Sequence, residues 1–154
     1  MAVININRNQ FEEMVHSGKT VLVEFSAPWC VYCRRLAPAL ESVAEEYKDT
    51  LVFTAVNIDD EPELAEAEAI EVVPTLLIYH SGQALGSIVA PESRAQLVAF
   101  IEETLQHQTQ EANTVHLYAS LSLEETRKTS IKDKQSQIIR SSEHILELLN
   151  NEKV

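Results

Sequence analysis

An α/β domain built on a mixed sheet is the fold class this chain predicts, and three observations predict it. Apolar runs of strand length alternate with segments of helical spacing as far as Leu105. Each of the early strand-like runs is followed by a helix, the order that parallel pairing requires. The last two strand-like runs instead flank Ser81-Gly82-Gln83, a hairpin signal that adds an antiparallel edge.

Val3-Ile4-Asn5-Ile6 is the first strand. Asn7 and Gln10 make a capping-box pattern for a helix holding Phe11, Met14 and Val15, and Gly18 stops it. Val21 to Ser26 scarcely alternates, which predicts a strand buried on both faces. Cys30 to about Tyr47 is helical, with Leu36, Leu40, Val43 and Ala44 at core spacing and a kink expected at Pro38. Leu51 to Ile58 is another apolar strand. Asp59-Asp60-Glu61-Pro62 opens a short acidic helix through about Ala69, with Pro in the first turn, where no donor is missed. Thr75 to His80 and Ala84 to Val89 form the hairpin. Ser93 with Gln96 caps a helix holding Leu97, Val98, Ile101 and Leu105. The order is β-α-β-α-β-α-β-β-α.

Apolar residues make up 45% of 154, enough for a real core. No apolar stretch approaches the ~20 residues of a membrane span. The first residues lack the basic start and apolar run of a signal peptide, so the expected location is the cytoplasm. A net charge of −12 argues against a general binder of nucleic acid or anionic membrane. The acidity is concentrated: residues 1–109 hold 17 Asp and Glu against 6 Lys and Arg, whereas 110–154 hold 7 against 6. The polar run Gln106-His107-Gln108-Thr109-Gln110 marks the boundary. The expected division is a domain over 1–107 and a largely helical extension over 108–154.

Cys30 and Cys33 are the two cysteines of the chain, three positions apart at an expected helix start. That spacing puts both thiols on one face, roughly 5–6 Å apart, within the separation a disulfide accepts. Such a pair can open and close as a small ring, the chemistry of thiol–disulfide exchange. Unpaired N–H groups at the helix N-terminus favour a thiolate on Cys30, the expected nucleophile. Cys33, one turn deeper, is placed to attack back. Half of a zinc site is the competing reading. Zinc needs about four ligands, and the histidines (His16, His80, His107, His116, His144) are scattered, so no metal is expected.

The element order, with Val23-Glu24-Phe25-Ser26-Ala27-Pro28-Trp29-Cys30-Val31-Tyr32-Cys33 running out of the second strand and Val73-Pro74-Thr75 before the hairpin, resembles the thioredoxin family over about residues 2–107. The acid in the strand, the Pro within the following helix and Asn57-Ile58-Asp59 agree in register. The resemblance implies a thioredoxin fold, a mixed central sheet flanked by helices, here with a C-terminal helical extension. It implies a protein-disulfide reductase that binds no cofactor and draws electrons from an NADPH-dependent flavin reductase of the thioredoxin-reductase kind. It makes Glu24 the buried acid that assists proton transfer at Cys33. Trp29 would cover the pair, and Pro74 would be the family's cis-proline, turning the Val73 backbone toward an extended client. Tyr32 and Thr75 complete the implied client-binding surface.

The chain departs from the pattern at several positions. Val31-Tyr32 stands where thioredoxins carry Gly-Pro, so the expected potential is less reducing than the roughly −270 mV of thioredoxin. Ala90-Pro91 replaces a Gly of the client-facing loop, and Ala55 replaces a Lys near the buried acid. Arg34 and Arg35 add positive charge after the pair.

In the extension, Val115, Leu117 and Ala119 alternate like a short strand, and Ser122-Leu123-Glu124-Glu125 reads as a capping box. An amphipathic helix is expected from about Lys134 to Asn150. It leaves open docking of a partner or a second copy. The alternative to an enzyme is a binding or adaptor module that keeps the fold, with redox turnover incidental.

Overall fold

The computed structural model describes residues 2–126 of the 154. The chain divides into two compact units, Met1–Gln108 and Thr109–Val154. The first unit follows the expected order: β1 (Val3–Asn5), α1 (Arg8–Val15), β2 (Val21–Ser26), α2 (Val31–Glu46), β3 (Val52–Asn57), α3 (Pro62–Ala67), β4 (Thr75–His80), β5 (Gln83–Val89) and the start of α4 (Arg94–Thr126).

The local signals act as their chemistry requires. The Asn7 side chain accepts from the Gln10 N–H while the Gln10 side chain accepts from the Asn7 N–H. The Ser93 hydroxyl accepts from the Gln96 N–H at the start of α4. Pro62 occupies the first turn of α3. Pro38 lies inside α2, which runs on past it to Glu46.

The sheet order is β1-β3-β2-β4-β5. β1, β3 and β2 are mutually parallel, β4 pairs antiparallel with β2, and β5 pairs antiparallel with β4. β2 lies at the centre, and its first five residues are all buried. That is why its apolar run does not alternate. One face of the sheet presents Leu22, Phe53, Leu76 and Ile78 to Leu36, Leu40 and Val43 of α2 and to Leu97 and Ile101 of α4. The other presents Val21, Val23, Phe25, Val56 and Leu77 to Phe11 and Val15 of α1 and Leu64 of α3. Helices therefore cover both faces, and the C-terminal end of β2 feeds through a short turn into α2.

The extension differs from expectation at one point. Residues 109–126 are helical, continuing as part of α4, so Val115, Leu117 and Ala119 do not form a strand and Ser122 does not begin a helix. Alternation over three residues is a weak signal, and Ala and Leu are strong helix formers. The polar run at 106–110 lies within a helix, and the two units divide inside it, after Gln108. The amphipathic segment expected over 134–150 lies outside the described residues. Among the described residues no helix is long and apolar enough to cross a membrane.

Candidate active site

Cys30 is the N-cap of α2, with extended backbone (φ −83, ψ 109), and its sulfur accepts from the Cys33 backbone N–H at 3.1 Å. A sulfur in this cap position faces the open N–H end of the helix. Cys30 and Cys33 are joined as a disulfide with Cα atoms 5.3 Å apart. Both are nearly buried, and they pack with Ala27, Ile58 and Val73. When the pair is reduced, the same N–H and the helix dipole stabilise negative charge on Cys30.

The Val73–Pro74 peptide bond is cis. The Val73 carbonyl oxygen lies 3.6 Å from the Cys30 sulfur, so this loop closes one side of the pair. Pro74 is buried, and its carbonyl accepts from the Ala90 N–H at 2.8 Å, which ties the loop before β4 to the one after β5. Thr75 is also buried, and its hydroxyl donates to the Val72 carbonyl.

Trp29 leaves 63% of its surface in solvent, and Tyr32 leaves 64%. Ala27, Ile58 and Val73 pack against the pair, and the Trp29 indole N–H donates to Asp59 at 3.2 Å. Val31 and Val72 are exposed beside them. An apolar, accessible rim thus surrounds a buried disulfide. Asp59, Ile58 and Val31 were not among the expected site residues. The register match of Asn57-Ile58-Asp59 was the signal that could have found the first two.

Glu24 is 6% exposed in the middle of β2. Side chains alternate along a strand, so Glu24 shares a face with Leu22, which packs against Leu36 and Leu40 of α2. Its register partners are Ala55 on β3 and Leu76 on β4. Neither offers a cation. Burial pushes the carboxyl from 4.5 up to about 7, against the smaller lowering effect of a hydrogen bond with Ser26. Its Oε2 has no hydrogen-bond partner among the described residues. A buried acid poised near neutrality therefore lies on the sheet face that supports the helix carrying Cys33. Among the described residues no three His, Cys, Asp or Glu side chains cluster as a metal site would require.

Comparison with known proteins places the same site in context. Residues 2–103 match the thioredoxin family. A thioredoxin of Acidithiobacillus ferridurans is 39% identical over 105 residues, covering 68% of this chain and 97% of that protein. A thioredoxin of Buchnera aphidicola from Acyrthosiphon pisum is 34% identical, covering 67% and 96%. The chloroplastic M-type thioredoxin of Chlamydomonas reinhardtii is 35% identical, covering 65% and 72%.

Proposed function

The chain belongs to the thioredoxin family and is a thiol–disulfide oxidoreductase, and from that premise we propose that it works as a reductase of protein disulfides. The observation that carries this reading is the capped Cys30 sulfur, held 3.1 Å from the Cys33 N–H. In the reduced protein Cys30 would be the thiolate that attacks a client disulfide. A mixed disulfide forms and one client thiolate leaves. Cys33 then gives up its proton, attacks the Cys30 sulfur and expels the second client thiolate. Two electrons pass from the pair to the client, and the ring disulfide returns. Glu24, poised near neutrality on the face that carries α2, takes the proton from Cys33 and returns it when the pair is reduced again.

An NADPH-dependent flavin reductase is the donor this reading calls for, since the cycle consumes two electrons per client and the domain needs no bound cofactor. The reading places the work in a reducing compartment, the cytoplasm. The exposed rim of Trp29, Val31, Tyr32 and Val72 suits an extended apolar client segment lying along Val73.

Alkylation kinetics on the reduced protein test the assignment. Cys30 should react at neutral pH at least about tenfold faster than free cysteine, as a thiolate with a depressed pKa does. Cys30→Ser should abolish insulin reduction with dithiothreitol, and Cys33→Ser should accumulate the mixed disulfide. Ordinary reactivity at Cys30 and no acceleration of insulin reduction would leave an adaptor instead.

A further inference from the structure

Within the second unit, α4 runs on as a helix without a covered face. Ala112, Val115 and Ala119 are all exposed, Val115 with 69% of its surface in solvent. The three stand at i, i+3 and i+7, and Leu123 carries the same spacing onward. At 3.6 residues per turn these positions fall within roughly 80° of one another, a single apolar stripe. Propensity does not hold such a segment by itself. Helices of about 12–15 residues are marginal in water even when rich in alanine, and Asn113, Thr114 and Val115 are weak helix formers. The helix over 109–126 therefore calls for something that packs along this stripe.

The sequence that follows has the complementary pattern. Ile131, Ile138, Ile145 and Leu149 recur at spacings of one heptad, one heptad and one turn. A reversal over Arg127–Ser130 is of ordinary length for two neighbouring helices. An antiparallel return from that reversal sets Ile138 opposite Ala119 and Ile145 opposite Ala112. Large residues then face small ones, the arrangement that lets two helices interdigitate. Charge agrees. Residues 109–126 hold Glu111, Glu124 and Glu125 and no Lys or Arg, whereas 127–140 hold Arg127, Lys128, Lys132, Lys134 and Arg140 against Asp133. The same register brings Lys132 and Lys134 beside Glu124 and Glu125.

We infer that the surface formed by Ala112, Val115 and Ala119 docks the chain's own residues 131–149, which return along it as an antiparallel helix. The extension is thereby a helical hairpin that closes its own apolar face, and a second copy is not its partner. Two chains that each carry a net charge of −12 repel one another. A tethered segment instead meets the stripe at an effective concentration in the millimolar range. The local sign of charge also favours it, since the basic run at 127–140 adjoins a helix whose charged residues are all acidic.

Cross-linking in the full chain tests this, with Cys30→Ser and Cys33→Ser removing the native thiols. Ala119→Cys with Ile138→Cys, and separately Ala112→Cys with Ile145→Cys, should close a disulfide within one chain on mild oxidation. Leu117→Cys with Ile138→Cys starts from the other side of the helix and should link at least about tenfold more slowly. Equal rates for the facing and the control pairs, or links that join two chains, would overturn the inference, the second outcome in favour of a dimer. A measurement without new cysteines guards against disturbed packing. Backbone amides over 109–126 should exchange at least about tenfold more slowly in the whole protein than in a chain ended after Thr126. Equal exchange in the two would show that residues 131–149 do not cover the helix.

Discussion

Glu24 shows how much one residue can set against its surroundings. A carboxyl between Ala55 and Leu76 in a central strand has lost water and gained no cation, so its neutral form is favoured up to about pH 7. The consequence for stability has a definite sign. Below pH 4.5 the acid is protonated whether the chain is folded or not. Between 4.5 and about 7 the unfolded chain releases the proton while the folded one keeps it, so stability falls as pH rises. The full loss, about 3 kcal/mol at roughly 1.4 kcal/mol per pH unit, is reached above the folded value. Urea unfolding of Glu24→Gln should therefore show a stability gain over the parent that grows by about 3 kcal/mol between pH 4 and 8. A difference that stays flat across that range would show the carboxyl to be no harder to ionise in the fold than outside it. The same reasoning explains why Glu24 could be picked out from the sequence: a lone acid in Val21-Leu22-Val23-Glu24-Phe25 is conspicuous. That it lies on the face of α2 required the alternation of the folded strand.

At the scale of elements, the first turn of α2 is where the redox chemistry is tuned. Cys30 caps the helix, while Val31 and Tyr32 occupy its first two positions and stand exposed. Thiolate stability on Cys30 depends on how well this turn presents its N–H groups. Val is β-branched and Tyr leaves φ free, whereas Pro presets φ for a first turn. Replacing Val31-Tyr32 by Gly-Pro should move the pair's potential to more reducing values by about 30 mV or more, a change of ~1.4 kcal/mol. Equilibration with glutathione measures it directly. A parent potential already at or below roughly −270 mV would refute the expectation. The start of α2 was legible because Trp29-Cys30-Val31-Tyr32-Cys33 follows an apolar strand. The hydrogen bond of the Trp29 indole was not, since its acceptor is Asp59, 30 residues away in the chain.

For the whole molecule, the core accounts for Met1–Gln108 without help. Both sheet faces are closed by helices of that unit, and Leu97 and Ile101 complete the face of α2. A chain ended after Gln108 should keep its urea midpoint and its rate of insulin reduction, since it retains the packed turns of α4. A marked loss of either would give residues 109–154 a part in the enzyme. Local signals read from the sequence failed at this end. Residues 115–119 resembled a strand, yet α4 continues through them. Where side chains are exposed, as at Val115 and Leu117, no burial pattern marks the secondary structure.

The elements as far as the start of α4, their order, the redox pair and the lone acid of β2 were determined by the sequence, because capping, period and turn chemistry act between near neighbours. The approach of the Val73 carbonyl to the Cys30 sulfur was decided only by tertiary structure. Cys30 and Val73 are 43 positions apart in the chain. Only the sheet that sets β4 beside β2, and the tie from Ala90 to Pro74, brings them to one site.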